Sequence, residues 1–235
     1  MTKRFLAPIS IPFVDFDTLN SASVISSVGR LFWNTEEGTL DLGMQNDAIQ
    51  SVGMEFFMPP TKNNSGQEIP VGSFVMATGV QGDKITIAKA VTNGSIDPMY
   101  MIGLATHTIA NESEIGLVTT DGIVRQINTS TWTVGTILYP NPSVPGGLTS
   151  TQPEAPSIKT SIAIVLRQHA STGRIYVRMT NGSVLGGTDS NVEISSPTDG
   201  QVLTYDSSTS IWKNENSAGA EASQKDWNLY WQPSW

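Results

Sequence analysis

An all-β fold, a sandwich or jelly-roll-like main domain with an extended N-terminal arm and a C-terminal hairpin carrying a short aromatic tail, is what this sequence predicts. Three observations lead there. Charged residues make up only 14% of the 235 residues, well under the roughly 25% of an average globular chain. Gly (21) and Pro (13) are frequent and Ser, Thr and Asn abundant, which is turn and strand chemistry rather than helix chemistry. Finally, short apolar runs recur between residues 30 and 179, divided by Gly, Asn, Asp and Pro, and no long helical period interrupts them.

The chain begins "MTKRFLAPISIPFVDFD". Pro8 and Pro12 break its apolar run and Asp15 ends it, so neither a secretory core nor a spanning helix fits. Residues 1–28 are therefore expected to be an extended apolar arm for attachment, confined by its prolines to a sheet edge or to pairing with another surface. Residues 29–185 form the expected β-rich main domain. In "RLFWNTEEGTLDLGM" Leu31 and Trp33 share one face of a first strand, Leu40 and Leu42 that of a second, and Gly38 closes the turn. In "SIAIVLRQHASTGRIYVRM" Ile162, Ile164 and Leu166 alternate before a turn at residues 171–173, and Ile175, Val177 and Met179 alternate back. One face is assigned to the core. The other gathers Arg167, Arg174, Tyr176 and Arg178, a basic concentration that reads either as a solvated face or as a contact for an acidic neighbour.

Past Asn181 the texture becomes Gly, Ser and Asp-rich, and residues 186–200 are expected to be a polar linker. Residues 201–235 follow as a hairpin, with Val202, Leu203, Tyr205, Ile211 and Trp212 flanking a turn at 206–210, and then the tail "SQKDWNLYWQPSW". So small a hairpin does not bury its own side chains. Val202, Leu203, Tyr205 and Trp212 are accordingly expected to make oligomer contacts. The tail holds three of the six tryptophans, and Trp227, Tyr230 and Trp231 fall at i, i+3 and i+4 with Pro233 to end the turn before Trp235. Those four aromatics either dock into a partner or fold back to complete the chain's own core.

Three segments in order, "GRLFWNTEEGTLDLGM" (29–44), "GLVTTDGIVRQINTSTWTVGTILYPN" (116–141) and "SPTDGQVLTYDSSTSIWKNE" (196–215), resemble a family of bacteriophage virion proteins of the tail-fibre, head-fibre or general structural type, frequent in marine phages and cyanophages. The resemblance implies a β-rich subunit, commonly trimeric, made in a bacterial host and built into the virion. It implies no catalytic residue. Relatives continue past the "DGQVLTY" hairpin into long shaft or receptor-binding regions, whereas here about twenty residues follow, so a short fibre, a connector or a decoration subunit fits better than a receptor-binding fibre.

The remaining residues argue against other classes. A formal net charge of -8 disfavours nucleic acid and anionic membrane as partners. Zero cysteines exclude disulfides and thiolate chemistry. His107 and His169 have no ligand spacing around them and read as hydrogen-bonded loop or strand-end histidines. Glu36-Glu37 and Glu112/Glu114 sit in turns and read as solvated acids, without the oxygen spacing of a calcium loop. The Asn-x-Ser/Thr triplets, such as that at Asn128, reflect composition. No catalytic, cofactor-binding or metal-binding residue is expected. The expected partners are further copies of the chain, as a homotrimer, and other virion proteins; the alternatives are a carbohydrate-binding receptor module, with a host glycan as partner, and a glycan hydrolase built on paired carboxylates.

Overall fold

The computed structural model describes residues 14–16, 27–113, 115–154, 157–179 and 192–216. The chain divides into two compact units, Met1–Ile96 with Tyr100–Thr180, and Asp97–Met99 with Asn181–Trp235. The fold is all-β and consistent with a sandwich; its helical content among the described residues is confined to short 3-10 turns such as those at Gln45–Asp47 and Pro98–Tyr100.

The first unit opens with a small antiparallel sheet of β1 (Leu31–Asn34), β2 (Thr39–Gly43) and β3 (Ile49–Ser51). Its β1–β2 turn is shaped by Asn34, whose Oδ1 accepts the backbone N–H groups of Glu36 and Glu37 at 3.0 and 3.1 Å. Gly38 completes it at φ +67°, where a side chain would be strained. Leu31 pairs with Leu42 and Trp33 with Leu40, so these four do share a face. It is not the buried one: Phe32, Thr39, Asp41 and Ser51 are buried, while Leu31 is exposed and Trp33, Leu40 and Leu42 are half-buried.

The large sheet contains ten strands in the order β11-β10-β12-β13-β9-β8-β6-β7-β5, with β4 also pairing β9. These are β4 (Phe56–Phe57), β5 (Lys62–Asn63), β6 (Phe74–Gln81), β7 (Lys84–Lys89), β8 (Met101–Ala105), β9 (Val118–Ile127), β10 (Ile137–Pro140), β11 (Leu148–Thr149), β12 (Ala163–Arg167) and β13 (Gly173–Arg178). Alternation along its middle strands feeds two apolar clusters. Phe74, Leu104 and Val124 join Leu138, Val165, Ile175 and Val177 in one, while their strand neighbours Val75, Ala105 and Val118 join Ile69, Ile87 and Ile109 in the other. β6 and β8 therefore bury both faces, which is why consecutive rather than alternate residues there are apolar.

The β12–β13 hairpin corrects the expected facing. Ile175 and Val177 are buried as anticipated, but they pair with Val165 and Ala163, and Ile164 pairs with Tyr176. Directly paired residues share a face, so Val165 and Ala163 go inward, Ile164 is only half-buried, and Leu166 is 43% exposed. A slip of one residue turns every side chain over. Ile162, one residue before β12, is buried as well.

Gly173 sits where β13 crosses β9 so closely that a Cβ would collide with Thr129 Oγ1 and, at 2.5 Å, with the Ile127 carbonyl oxygen. Because the second obstacle is backbone, Gly173→Ala is expected to destabilise by roughly 1–3 kcal/mol, the usual cost of overpacking. The check is its urea midpoint against that of the parent chain.

The second unit contains a three-stranded sheet, order β14-β16-β15, of β14 (Val192–Glu193), β15 (Gln201–Asp206) and β16 (Ile211–Asn216). The hairpin is as expected, and its turn is tied by Asp206, whose Oδ1 accepts the N–H and hydroxyl of Ser208 at 2.9 and 2.6 Å. Those bonds, together with that from Lys213, hold the Asp206 carboxyl well below the usual carboxylate range. The expected linker is not featureless: Val192 and Glu193 run parallel to β16, opposite Trp212 and Lys213. Polar composition hid this short strand.

The Asn-x-Ser triplets have a local use. Asn63, Asn93, Asn128 and Asn141 each accept, through Oδ1, the backbone N–H of the Ser two residues on. Each closes an Asx turn.

Candidate assembly surfaces

The sheet of the second unit carries its aromatic residues on one face, beside Asn214. The pairing of Tyr205 with Trp212, and of Trp212 with Val192, sets these three side chains with Leu203 on one side. The opposite side carries Val202, Thr204, Asp206, Ile211, Lys213 and Glu215, with Lys213 Nζ 3.0 Å from Asp206 Oδ2. The two rings contact each other, centroids 5.3 Å apart and tilted by 53°. Even so Leu203, Tyr205 and Trp212 are 41, 49 and 45% exposed. Of the expected oligomer contacts these three are brought together, and Val202, 48% exposed, lies on the other face. Trp227, Tyr230, Trp231 and Trp235 lie outside the described residues, as does most of the N-terminal arm.

In the first unit the arginines resolve differently. Arg174 donates to Glu37 Oε1 at 3.2 Å and to Glu36 Oε2 at 3.1 Å, so its acidic neighbour is the β1–β2 turn of the same chain. The centre of the cluster is Arg125, which the sequence reading did not single out. One guanidinium nitrogen donates to Glu55 Oε1 at 2.7 Å and the other to Glu37 Oε2 at 2.7 Å and Ser51 Oγ at 3.1 Å. Ser51 Oγ in turn lies 2.9 Å from Asp41 Oδ1, and Asp41 accepts from Asn34 Nδ2 at 2.8 Å. Glu55 also accepts the backbone N–H groups of Ser51 and Ile123, at 2.8 and 3.1 Å.

Glu37 is thus not a solvated acid. Its side chain is 14% exposed, against 68% for Glu36, because the turn delivers it onto Arg125. Glu112 is exposed, and Glu114 lies outside the described residues. Gly122 makes room for the cluster: at φ +130°, a Cβ there would strike the Glu55 side chain at 2.6 Å. Burial pushes the Glu55 carboxyl up against the opposing pull of Arg125. Arg125 is held above its ordinary value by the attraction of Glu55 and Glu37, which outweighs its own burial. The buried face of the small sheet, which also carries Phe32, is therefore tied to the large one by charge.

Beside Arg125 lies a cavity of about 340 Å³, also lined by Asp47, Thr106, His107 and Gln126. His107 spends both ring nitrogens on backbone: Nε2 accepts Leu117 N–H at 3.3 Å, which leaves Nδ1 to donate to the Thr108 carbonyl at 2.8 Å. His169 Nδ1 accepts the N–H groups of Ser171 and Thr172. Both histidines are the hydrogen-bonded loop or strand-end kind expected. Among the described residues no group of three or more His, Asp and Glu is placed to hold a metal.

Burial holds His107 below its ordinary 6.5. The unfolded ring takes up a proton at a pH where the folded ring does not, so stability falls as pH drops through 6.5 towards the lower folded value. Glu55, raised above 4.5, contributes a slope of opposite sign at lower pH. The expected result is that the urea midpoint falls between about pH 7.5 and about pH 5.5 in the parent chain, and less in His107→Gln.

Fold and surfaces together define a β-structured protein whose most distinctive exposed feature is an aromatic sheet face, with a charged joint inside its larger unit. Compared with known proteins, the chain matches no family model and no curated protein.

Proposed function

We propose that this chain is a non-enzymatic structural subunit of a phage particle, a short fibre, connector or decoration piece, that acts by associating with itself as a trimer and by docking onto other virion proteins. The observation that carries the self-association is the exposed apolar face of Val192, Leu203, Tyr205 and Trp212. A three-stranded sheet this small needs an apolar surface to cover that face, and copies of the same sheet arranged by symmetry supply one. The place in a virion is supported by the resemblance of the segments at 29–44, 116–141 and 196–215. The bonded state of His107, Glu37 and Glu55 supports a structural rather than a catalytic part for the polar cluster.

Light scattering over a range of concentrations tests the association, with three times the 25.2 kDa chain mass expected. A concentration-independent 25.2 kDa particle would overturn it. The second reading, a carbohydrate-binding module, is favoured by the same exposed Tyr205 and Trp212, since flat aromatics stack on sugar faces. Saturable glycan binding by a monomer would select it. Deleting residues 223–235 is expected to leave the melting curve of the larger unit unchanged while ending incorporation into particles; a melted domain would instead assign the tail to the core.

A further inference from the structure

The Asn-x-Ser turns share one scaffold and differ in their chemistry. In each the Asn Oδ1 accepts the N–H two residues on, so the side chain folds back over the peptide that follows it. That fold brings Cγ alongside the next backbone nitrogen, the nucleophile that would close a succinimide ring. At Asn63, Asn128 and Asn141 something blocks the step. Asn63 is buried, and its Nδ2, the group that would have to leave, donates to the carbonyls of Gln67, Ile109 and Ala110 at 2.8, 3.0 and 3.1 Å. Asn128 is followed by buried, β-branched Thr129, whose N–H is spent on the His169 carbonyl at 2.9 Å. Asn141 is followed by Pro142, which has no N–H to give up.

At Asn93 nothing blocks it. Asn93, Gly94 and Ser95 are all exposed. Gly94, at φ +89°, has no side chain to crowd the attack, and neither its N–H nor Asn93 Nδ2 enters a hydrogen bond among the described residues. Asn93 Oδ1 meanwhile accepts the backbone N–H of Ser95 at 3.1 Å and the Ser95 hydroxyl at 2.7 Å. Two donors on a carbonyl oxygen stabilise the charge that oxygen takes up when a nucleophile adds to its carbon. We propose that Asn93–Gly94 is a self-modifying site, where the Gly94 nitrogen displaces the Asn93 side-chain amide while Ser95 stabilises the oxyanion. The Gly94 nitrogen bonds to Asn93 Cγ and gives its proton to hydroxide; the Cγ–Nδ2 bond breaks, and Nδ2 leaves as ammonia with a proton from water. Water then opens the succinimide at either carbonyl, leaving aspartate or isoaspartate at position 93. Nothing is oxidised or reduced, and water is the only co-reactant. Each event adds one negative charge to a chain of net charge -8. The isoaspartyl product also lengthens the main chain by one methylene. It does so between Thr92, whose carbonyl accepts Ile158 N–H at 3.0 Å, and Ile96, which packs on the apolar cluster around Phe74.

The test uses the full chain, held at mildly alkaline pH and sampled over days. Peptide mapping by mass spectrometry follows the amide-to-acid conversion, and enzymatic methyl labelling counts isoaspartate. Conversion is expected at Asn93, faster as pH rises, and not at Asn63, Asn128 or Asn141. Asn181–Gly182 is the same dipeptide outside the described residues, and the map reads its peptide separately. Ser95→Ala removes the hydroxyl donor while keeping the backbone N–H that closes the turn, and is expected to slow conversion at Asn93 several-fold. Ser95 is exposed, so this variant should keep the parent's melting curve. Equal rates in the parent and Ser95→Ala would overturn the proposal, leaving only the reactivity of the dipeptide itself. Conversion at Asn93 no faster than at Asn128 would overturn it as well. Neither reading depends on oligomeric state, so failure here leaves the self-association proposed above untouched.

Discussion

Arg125→Met is expected to cost about 3–5 kcal/mol of unfolding free energy, the range for removing one partner from a buried charge pair. Methionine keeps most of the side-chain volume, so the loss reports charge rather than a cavity. What remains is Glu55, with a side chain 2% exposed and no cation left, and Glu37 at 14%, left with Arg174 alone. Backbone donors from Ser51 and Ile123 still serve Glu55, and Arg174 still serves one oxygen of Glu37, so the small sheet should loosen before the large one. Urea unfolding measures the loss, and hydrogen exchange at β1, β2 and β3 locates it. Adding Glu37→Gln and Glu55→Gln should recover a large part, since neutral amides carry less desolvation cost. A single variant within about 1 kcal/mol of the parent, as for a surface pair, would show that the cluster is solvated and that other contacts hold the two sheets together.

Tyr205→Ser/Trp212→Ser is expected to return the protein to its 25.2 kDa chain mass. An aromatic anchor buried at an interface contributes roughly 2 kcal/mol or more, and in the proposed trimer both losses are repeated in every copy. Because these side chains belong to the second unit, the melting transition of the first should be unchanged. Sedimentation velocity reads the mass and calorimetry the melting. Thr204→Ser, on the polar face of the same hairpin, should leave the mass as it was. If the double variant keeps the parent's mass, the aromatic face is not the association surface. If it instead abolishes glycan binding in a monomer, the carbohydrate reading is the correct one.

The strands were legible where periodicity and turn chemistry agreed. Gly38 marks the first hairpin, Asp206 to Ser210 the last, and alternation at Ile175 and Val177 places β13 in the core. Facing was less legible. From Ile162, just before β12, to Leu166 every residue is apolar, so composition is compatible with either register and the pairing to β13 decides. In β1 and β2 Leu31, Trp33, Leu40 and Leu42 do form one face, yet it is Phe32, Thr39 and Asp41 on the other that are buried, the side that faces Arg125.

Arg125 was the least legible residue of all. In sequence it is a single arginine in a strand. Its meaning appears only when β9 and β13 are paired, which sets Arg125 directly opposite Arg174. Like charges facing each other across a sheet are unfavourable, and acids must come between them. Those acids arrive from 88 and 70 residues away along the chain, at Glu37 and Glu55.

The sequence alone determined the β class, the hairpin turns, the change of texture after Asn181 and the apolar content of both ends, because each depends on neighbours within a few residues and on backbone preferences that act locally. Tertiary structure alone decided which face of a strand is buried, that Glu37 is a partner of Arg125 rather than a solvated acid, and that Val165 rather than Ile164 faces the core. Those outcomes depend on register and on which charges meet, and both are set by pairings between segments far apart in the chain.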